Sequence, residues 1–276
     1  LLPITIDQVS GGMSVLNGSK SICYIVRRSS AITTAVSLKN NYFEVPGFDA
    51  GSPTADVVNN IKQLTYEAII RVNNFKTDEF PKKDIATIMG IEQYCLFRIG
   101  DAGFPLQQLQ FSSPGENKFP NADTGKLLQP SEWYHVAVVY DTEKKTAVIY
   151  VDGREQSRIE DYGNGEPVNL GKQTRGSDFM FKIGHSYGEP DYMERQLDGE
   201  ICEVRVWNVA RSQQEIFDNM YNIEDPANTP GLQAYWKFNE GEGDIAKDYT
   251  RHGNDAKSYA KATWPTGIEV TQKNKE

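Results

Sequence analysis

Apolar and polar residues alternate along most of this 276-residue chain. Leu64, Tyr66, Ala68, Ile70 and Val72 share one face of a period-two pattern. Thr65, Glu67 and Arg71 lie on the other, which predicts a half-buried strand over 64–72. Stretches 133–140 and 146–151 read the same way, joined by a polar hairpin loop at 141–145. Asp152-Gly153 then turns the chain into another short strand. Runs at 179–183, 201–207 and 232–238 continue the series. Only one segment carries a helix signal. Ser212 with Glu215 three residues on forms a capping box before Ile216, Phe217 and Met220, and Pro226 implies an end near Asn222. A short turn is expected over 55–60. Many strands with one short helix predict an all-β, antiparallel β-sandwich rather than a βαβ fold.

Near the start, Asn17-Gly18-Ser19 satisfies a glycosylation sequon, yet it also sits between two strand-like runs where Asn-Gly favours a two-residue hairpin. The opening Leu1-Leu2-Pro3-Ile4-Thr5-Ile6 shows neither initiator methionine nor signal peptide and reads as a strand in progress. A piece of a longer, processed protein is the expectation. The chain divides into a hairpin over 1–30, read as the tail of a preceding β-module, and a sandwich over 31–276.

Composition narrows the function classes. Hydrophobic residues at 38% and aromatics at 11% are enough for a sizeable core. A formal charge of −9 argues against nucleic acid, whose phosphates need clustered Lys and Arg. The longest apolar run, around 133–140, is too short to span a bilayer. Cys23, Cys95 and Cys202 are odd in number, lack a Cys-x-x-Cys spacing and sit in strand-like stretches. They read as buried thiols, not a disulfide framework or a zinc site.

Two patterns raise catalysis. Gly184-His185-Ser186-Tyr187-Gly188 matches Gly-x-Ser-x-Gly. A nucleophile elbow needs a helix after the serine, but Gly188-Glu189-Pro190-Asp191 reads as a loop, so the match is accidental. Glu200 and Glu203 are the candidate glycosidase acids. Residues three apart in a regular strand point to opposite faces, so only a bulge would let them share a cleft. On the face of Glu200 stands Cys202, which cannot do a carboxylate's work. No catalytic residues are assigned.

Trp133-Tyr134-His135-Val136-Ala137-Val138-Val139-Tyr140-Asp141, followed by Ile149-Tyr150-Val151-Asp152-Gly153, resembles the laminin-G-like, concanavalin A-like lectin/glucanase superfamily. Leu197-Asp198-Gly199-Glu200-Ile201-Cys202-Glu203-Val204-Arg205-Val206-Trp207-Asn208 is similar to a second motif of that family, with Cys202 where Asp is common. The Glu-x-Asp-x-Glu core of the active glucanases is missing. The likeness runs from about Ala31 to Val270 and implies a concanavalin A-like jelly roll with Trp133 and Trp207 in the inter-sheet core. Stretches 232–241 and 248–255 also look like the family, in an order that resembles secreted, surface-attached proteins of glycan-degrading bacteria.

Sugar recognition wants exposed aromatic faces beside carboxylates, amides and hydroxyls. Two long polar loops offer them: Tyr162 with Asp161 and Asn164 in one, Tyr187, Asp191 and Tyr192 with Glu189 in the other. Tyr162, Tyr187, Asp191 and Tyr192 are the candidate carbohydrate-binding residues. Phe104, Phe119 and Asn121 form a weaker third region. No cofactor is required, but relatives of the fold hold calcium, and Asp248 and Asn254 in the acidic, glycine-rich stretch 239–255 are the candidate ligands. The competing reading of that stretch is an acidic turn whose side chains cap backbone amides.

The resulting expectation is a non-catalytic, lectin-like domain of a secreted protein, attached at the outer membrane of a Gram-negative bacterium. Its partner would be a polysaccharide or a glycoprotein glycan, with no nucleic acid and no membrane span. A glycoside hydrolase of the same fold and a protein–protein adhesion domain are the alternatives.

Overall fold

The computed structural model describes residues 9–16, 19–26, 31–49, 52, 55–76, 85–92, 94–101, 104–113, 127–171, 173–174, 178–186 and 195–270. In chain order the strands begin with β1 (Val9–Leu16), β2 (Ser19–Val26), β3 (Val36–Ser37), β4 (Phe43–Glu44), β5 (Gln63–Val72) and β6 (Ala86–Ile91). Next come β7 (Cys95–Ile99), β8 (Leu109–Ser112), β9 (Trp133–Asp141), β10 (Thr146–Val151), β11 (Arg154–Glu160), β12 (Gln173–Thr174) and β13 (Asp178–Phe179). After β14 (Lys182–Ile183) and β15 (Gly199–Trp207) stands the helix α1 (Gln213–Asn219). Then follow β16 (Leu232–Trp236), β17 (Ile245–Ala246) and β18 (Ala256–Ser258).

β1 and β2 pair antiparallel on either side of residues 17–18, with Leu16 opposite Ser19, as the Asn-Gly signal implies. Apart from a small β12–β13 pair, the rest forms two antiparallel seven-stranded sheets. The first runs β11–β10–β9–β5–β15–β16, with β3 also paired to β15. The second runs β17–β18–β4–β14–β6–β7–β8. This is an antiparallel β-sandwich, as expected from the alternation, and it matches the jelly roll that the resemblance implies. The second sheet was the less legible one: most of its strands are short, and the run at 179–183 splits into β13, which pairs with β12, and β14, which joins this sheet.

Period-two burial lines the space between the sheets. Ala234, Val206, Tyr66, Val138 and Ile149 form one cross-strand row of the first sheet, all buried. Phe43, Ile183, Met89, Phe97 and Phe111 form the facing row of the second. Tyr66 meets Phe181 edge-on at 5.9 Å and Phe111 at 6.5 Å, and Phe181 stacks on Trp236 at 6.3 Å. Each such ring contributes about 1.5–3 kcal/mol by leaving water.

The tryptophans differ from the expectation. Trp207 is buried on the outer face of the first sheet, with Ile223, Leu232 and Tyr235. Trp133 stands in register with Arg71, whose guanidinium lies 4.9 Å from the ring centroid. Trp236 is the tryptophan fully buried in the inter-sheet core, and half-buried Trp133 packs against that core. Trp207 follows from plain alternation, since it pairs with outward Thr65 while Val206 pairs with inward Tyr66, and from the segment that covers this face. Cys95 and Cys202 are buried free thiols.

That cover is α1 and its flanks. Ser212 caps the helix: its Oγ accepts from the Glu215 N–H at 3.3 Å, and the Glu215 carboxylate accepts from the Ser212 N–H at 2.8 Å. Ile216 packs on Ala137, Val139, Val148 and Tyr150 of β9 and β10. Asp152 and Gly153 both hold positive φ, 50° and 69°, in the β10–β11 turn. Phe217 closes over that turn, where a Cβ on Gly153 would come within 2.8 Å of its ring. Aspartate and glycine therefore serve both the turn and the docking of the helix.

Beneath the helix lies a set of buried charges. Glu67, wholly buried, accepts from Arg211 Nη1 at 2.6 Å and Arg205 Nη1 at 3.3 Å, and pairs with His135 Nε2 at 3.1 Å. Arg205 also donates to Glu203 at 2.5 Å and to the Asn219 carbonyl at 2.8 Å. Arg211 donates to the Glu215 carbonyl at 2.8 Å and the Asn219 side chain at 2.7 Å. Strands β5, β9 and β15 are thus bonded to the last turn of α1. Among the described residues no helix is long and apolar enough to cross a membrane.

Burial alone would raise the Glu67 pKa, but the His135 hydrogen bond and the charges of Arg211 and Arg205 outweigh it and bring it from 4.5 down to about 2. A depressed carboxylate adds stability above its unfolded pKa and loses it as pH falls through the folded one. Acid titration of stability should therefore show a loss of about 3 kcal/mol between pH 4.5 and 2, absent in Glu67→Gln. At pH 7 that variant should cost about 3–5 kcal/mol in urea denaturation, since buried Arg211 loses its counter-charge and Arg205 keeps only Glu203. A cost below about 0.5 kcal/mol would contradict this.

Candidate functional site

Tyr187, Asp191 and Tyr192 fall within 187–194 and, with Phe119 and Asn121, lie outside the described residues. Phe104 is half-buried. Tyr162 is described and corrects the expectation. Its ring is fully buried, 5.8 Å from Tyr140 and 6.3 Å from Phe111, and its hydroxyl donates to the Phe111 carbonyl at 2.9 Å. Such a ring is a core anchor and offers no face to a sugar. The polar neighbours Asp161, Gly163 and Asn164 disguised an inward-pointing residue as part of a surface loop.

Asp248 and Asn254 are brought together, but as a turn. Asp248 Oδ1 accepts from the N–H groups of Tyr235 at 3.1 Å and Thr250 at 2.9 Å. Its Oδ2 accepts from the Thr250 hydroxyl at 2.7 Å and the Asn254 N–H at 2.9 Å. Calcium takes six to eight oxygens, whereas this carboxylate is already saturated by donors. Among the described residues no three His, Cys, Asp or Glu side chains group as metal ligands. The donor set fits backbone capping and does not fit a cation.

Glu200 and Glu203 fare differently from the regular-strand argument. A bulge between Cys202 and Arg205, with Glu203 at φ 54°, sends both carboxylates to the outer face. Each is already engaged. Glu200 accepts from Arg71 Nε at 2.9 Å and Asn73 at 3.0 Å. Glu203 accepts from Arg205 and from the Tyr235 hydroxyl. Glu67, His135 and Arg205 beside it are each at most 1% exposed. Buried ion-pair networks perturb pKa values as active sites do, but a substrate needs access. This constellation joins the helix to the sheet.

The second sheet presents a different outer face. Residues 187–194 are entered from Ser186 and left at Arg195, and both ends are tied to Glu92. Ser186 Oγ donates to Glu92 Oε2 at 2.6 Å, and Arg195 Nη1 to Oε1 at 2.8 Å. Glu92 stands where β6 turns into β7, only 4% exposed. Nearby, Arg98 pairs with Asp101. Burial lowers the Arg98 pKa against the opposing pull of Asp101 and Glu92.

Thr87, Arg98 and Gln110 align across β6, β7 and β8 on this face. Among the described residues, the buried amide of Gln110 and the hydroxyl of Thr87 have no hydrogen-bond partner. In the next strands Glu44 stands in register between Lys257 and Lys182. Lys182 Nζ lies 3.6 Å from Glu44 Oε1 and 4.6 Å from the centroid of Tyr42, with His185 4.9 Å from the same ring. Burial lowers the Lys182 pKa, and Glu44 opposes the shift. Of these, Glu44 and Lys257 reach solvent and can hydrogen-bond a polyhydroxylated ligand, whereas Thr87, Gln110 and Lys182 are buried. Sequence reasoning missed Glu92, because its two partners are about a hundred positions away. Only the pairing of Ser186 and Arg195 around a long polar loop hinted at a stem.

The model of the concanavalin A-like lectin/glucanases superfamily matches residues 46–217. A solved structure of a candidate carbohydrate-binding protein from Bacteroides ovatus is 31% identical, with TM-score 0.71, over 94% of this chain and 67% of that one. A sialidase CBM40 module from Ruminococcus gnavus, bound to α2,3-sialyllactose, is 13% identical with TM-score 0.45, covering 69% of this chain and 96% of that one. A Limulus polyphemus SAP-like pentraxin is 12% identical with TM-score 0.44, over 69% and 76%. No curated protein matches the sequence.

If Glu92 fixes the stem, Glu92→Gln should speed amide exchange about tenfold or more at 184–186 and 195–197, while β5 and β15 keep wild-type protection. Unchanged exchange at the stem would show that Glu92 does not hold it.

Proposed function

Since the chain belongs to the concanavalin A-like lectin/glucanases superfamily, we propose that it is a non-catalytic carbohydrate-binding domain of a secreted surface protein that captures glycan. The supporting observation is the likeness to the Bacteroides ovatus protein over nearly the whole chain. Tyr187 and Tyr192 supply ring faces and Asp191 a carboxylate, from the stretch of sequence between Ser186 and Arg195, both of which Glu92 holds. A stem fixed by charge-assisted hydrogen bonds lowers the ordering cost of binding. The partner is a polysaccharide or a glycoprotein glycan.

Physical reasons favour binding over hydrolysis. A glycosidase needs one carboxyl as acid and another as nucleophile or base beside an open cleft. Glu200 and Glu203, the acids that share a face, are each held by a guanidinium and are at most 6% exposed.

A glycan microarray, followed by calorimetric titration of the best hit, tests the reading. The chain should bind at least one glycan, release no reducing ends from it, and weaken about tenfold or more in Tyr187→Ala and in Tyr192→Ala. Reducing-end release would establish a hydrolase. Absence of any glycan hit would refute the proposal.

A further inference from the structure

An aromatic pair on the outer face of the second sheet is unused so far. Tyr259, just past β18, is 46% exposed, the most exposed large hydrophobic side chain among the described residues. Its ring stacks on that of Tyr42 at 4.7 Å and 10° between planes. Tyr42 is 1% exposed and is held in turn by Lys182 and His185. One face of Tyr259 is therefore covered by a fixed ring while much of the residue meets solvent.

The backbone beneath is pinned. The Tyr259 N–H donates to the Tyr42 carbonyl at 2.9 Å. On either side, buried Asn41 binds both neighbours. Its Nδ2 donates to Ser258 Oγ at 2.7 Å, and its Oδ1 accepts from the Ala260 N–H at 3.0 Å. The exposed ring sits on an immobilised backbone, which removes much of the entropy cost of offering it to a ligand. Polar side chains flank it. Lys257 is exposed and in register with Glu44, whose side chain is 36% exposed, on the same face.

We propose that Tyr259 is a stacking platform for one pyranose ring of a bound glycan. The flat C–H face of the sugar lies on the free face of Tyr259, and its hydroxyls bond to Glu44 and Lys257. A solitary surface tyrosine would need no explanation. Here a stacked partner, a side-chain clamp on both neighbours and a flanking carboxylate and ammonium are built around it. A pyranose has both the apolar face and the hydroxyl rim that this arrangement matches. The inference rests on the carbohydrate-binding reading and adds a subsite outside residues 187–194.

The test uses the intact chain on a microarray of host N- and O-glycans and plant polysaccharide fragments, with calorimetry on the strongest hit. Tyr259→Ala should weaken that binding about tenfold, while Tyr259→Phe retains it, because stacking needs the ring and not the hydroxyl. Thermal unfolding should stay near the wild-type temperature in Tyr259→Phe and fall by only a few degrees in Tyr259→Ala, which loses the stack on Tyr42. Wild-type affinity in Tyr259→Ala, or equal losses in both variants, would overturn the platform and leave the glycan-binding reading standing. A wild-type chain that binds none of the glycans would overturn that reading and the platform with it.

Discussion

Glu67 is the constraint around which the first sheet is organised. A carboxylate at zero exposure is tolerable only if its charge is met, and here it is met by two arginines and a histidine drawn from β9, β15 and the approach to α1. Arg205 and Arg211 then reach carbonyls of the helix, leaving its end bonded to the strands below. With its outer face sealed by charge and by Ile216, the first sheet acts as a rigid wall. The second sheet packs its aromatic row on the inner face of that wall. Its own outer face is left to carry exposed polar and aromatic groups.

Much of this was legible in the sequence. Strict alternation at 64–72 placed Tyr66 inside and Glu67 outside correctly, since a two-residue period admits only one assignment once the apolar face is buried. The capping box at Ser212 fixed the start of α1, because a cap is a local device. The helix ends at Asn219, three residues before the expected Asn222, since no local signal marks that end. Alternation could not say that the outward polar face would itself be covered. The depth of Glu67, His135 and Arg205 depends on a helix about 140 residues from β5. Trp207 was misplaced for the same reason: its size predicts burial, but not on which side of the sheet.

The candidate site was less legible. Tyr162 looked like a loop aromatic because its neighbours are polar, yet its ring fills the core beside Tyr140. The bulge at Glu203 undid the face argument for Glu200, and no residue preference announces a positive φ at a glutamate. Asp248 resembled a metal ligand because capping and coordination draw on the same carboxylate oxygens. Only the four donors around it decide between them. Glu92 and the Tyr42–Tyr259 pair are long-range contacts, invisible to any local pattern.

On the proposed carbohydrate-binding reading the two sheets divide the work: charge buried on the outer face of the first holds the scaffold, and recognition falls to the second. Hydrogen exchange of the intact chain with and without its best glycan tests this division most directly. New protection is expected at 42–44, 182–186 and 257–260, with β5, β15 and α1 unchanged. Protection centred on Glu67, Glu203 and Arg211 would contradict it and place the ligand on the first sheet.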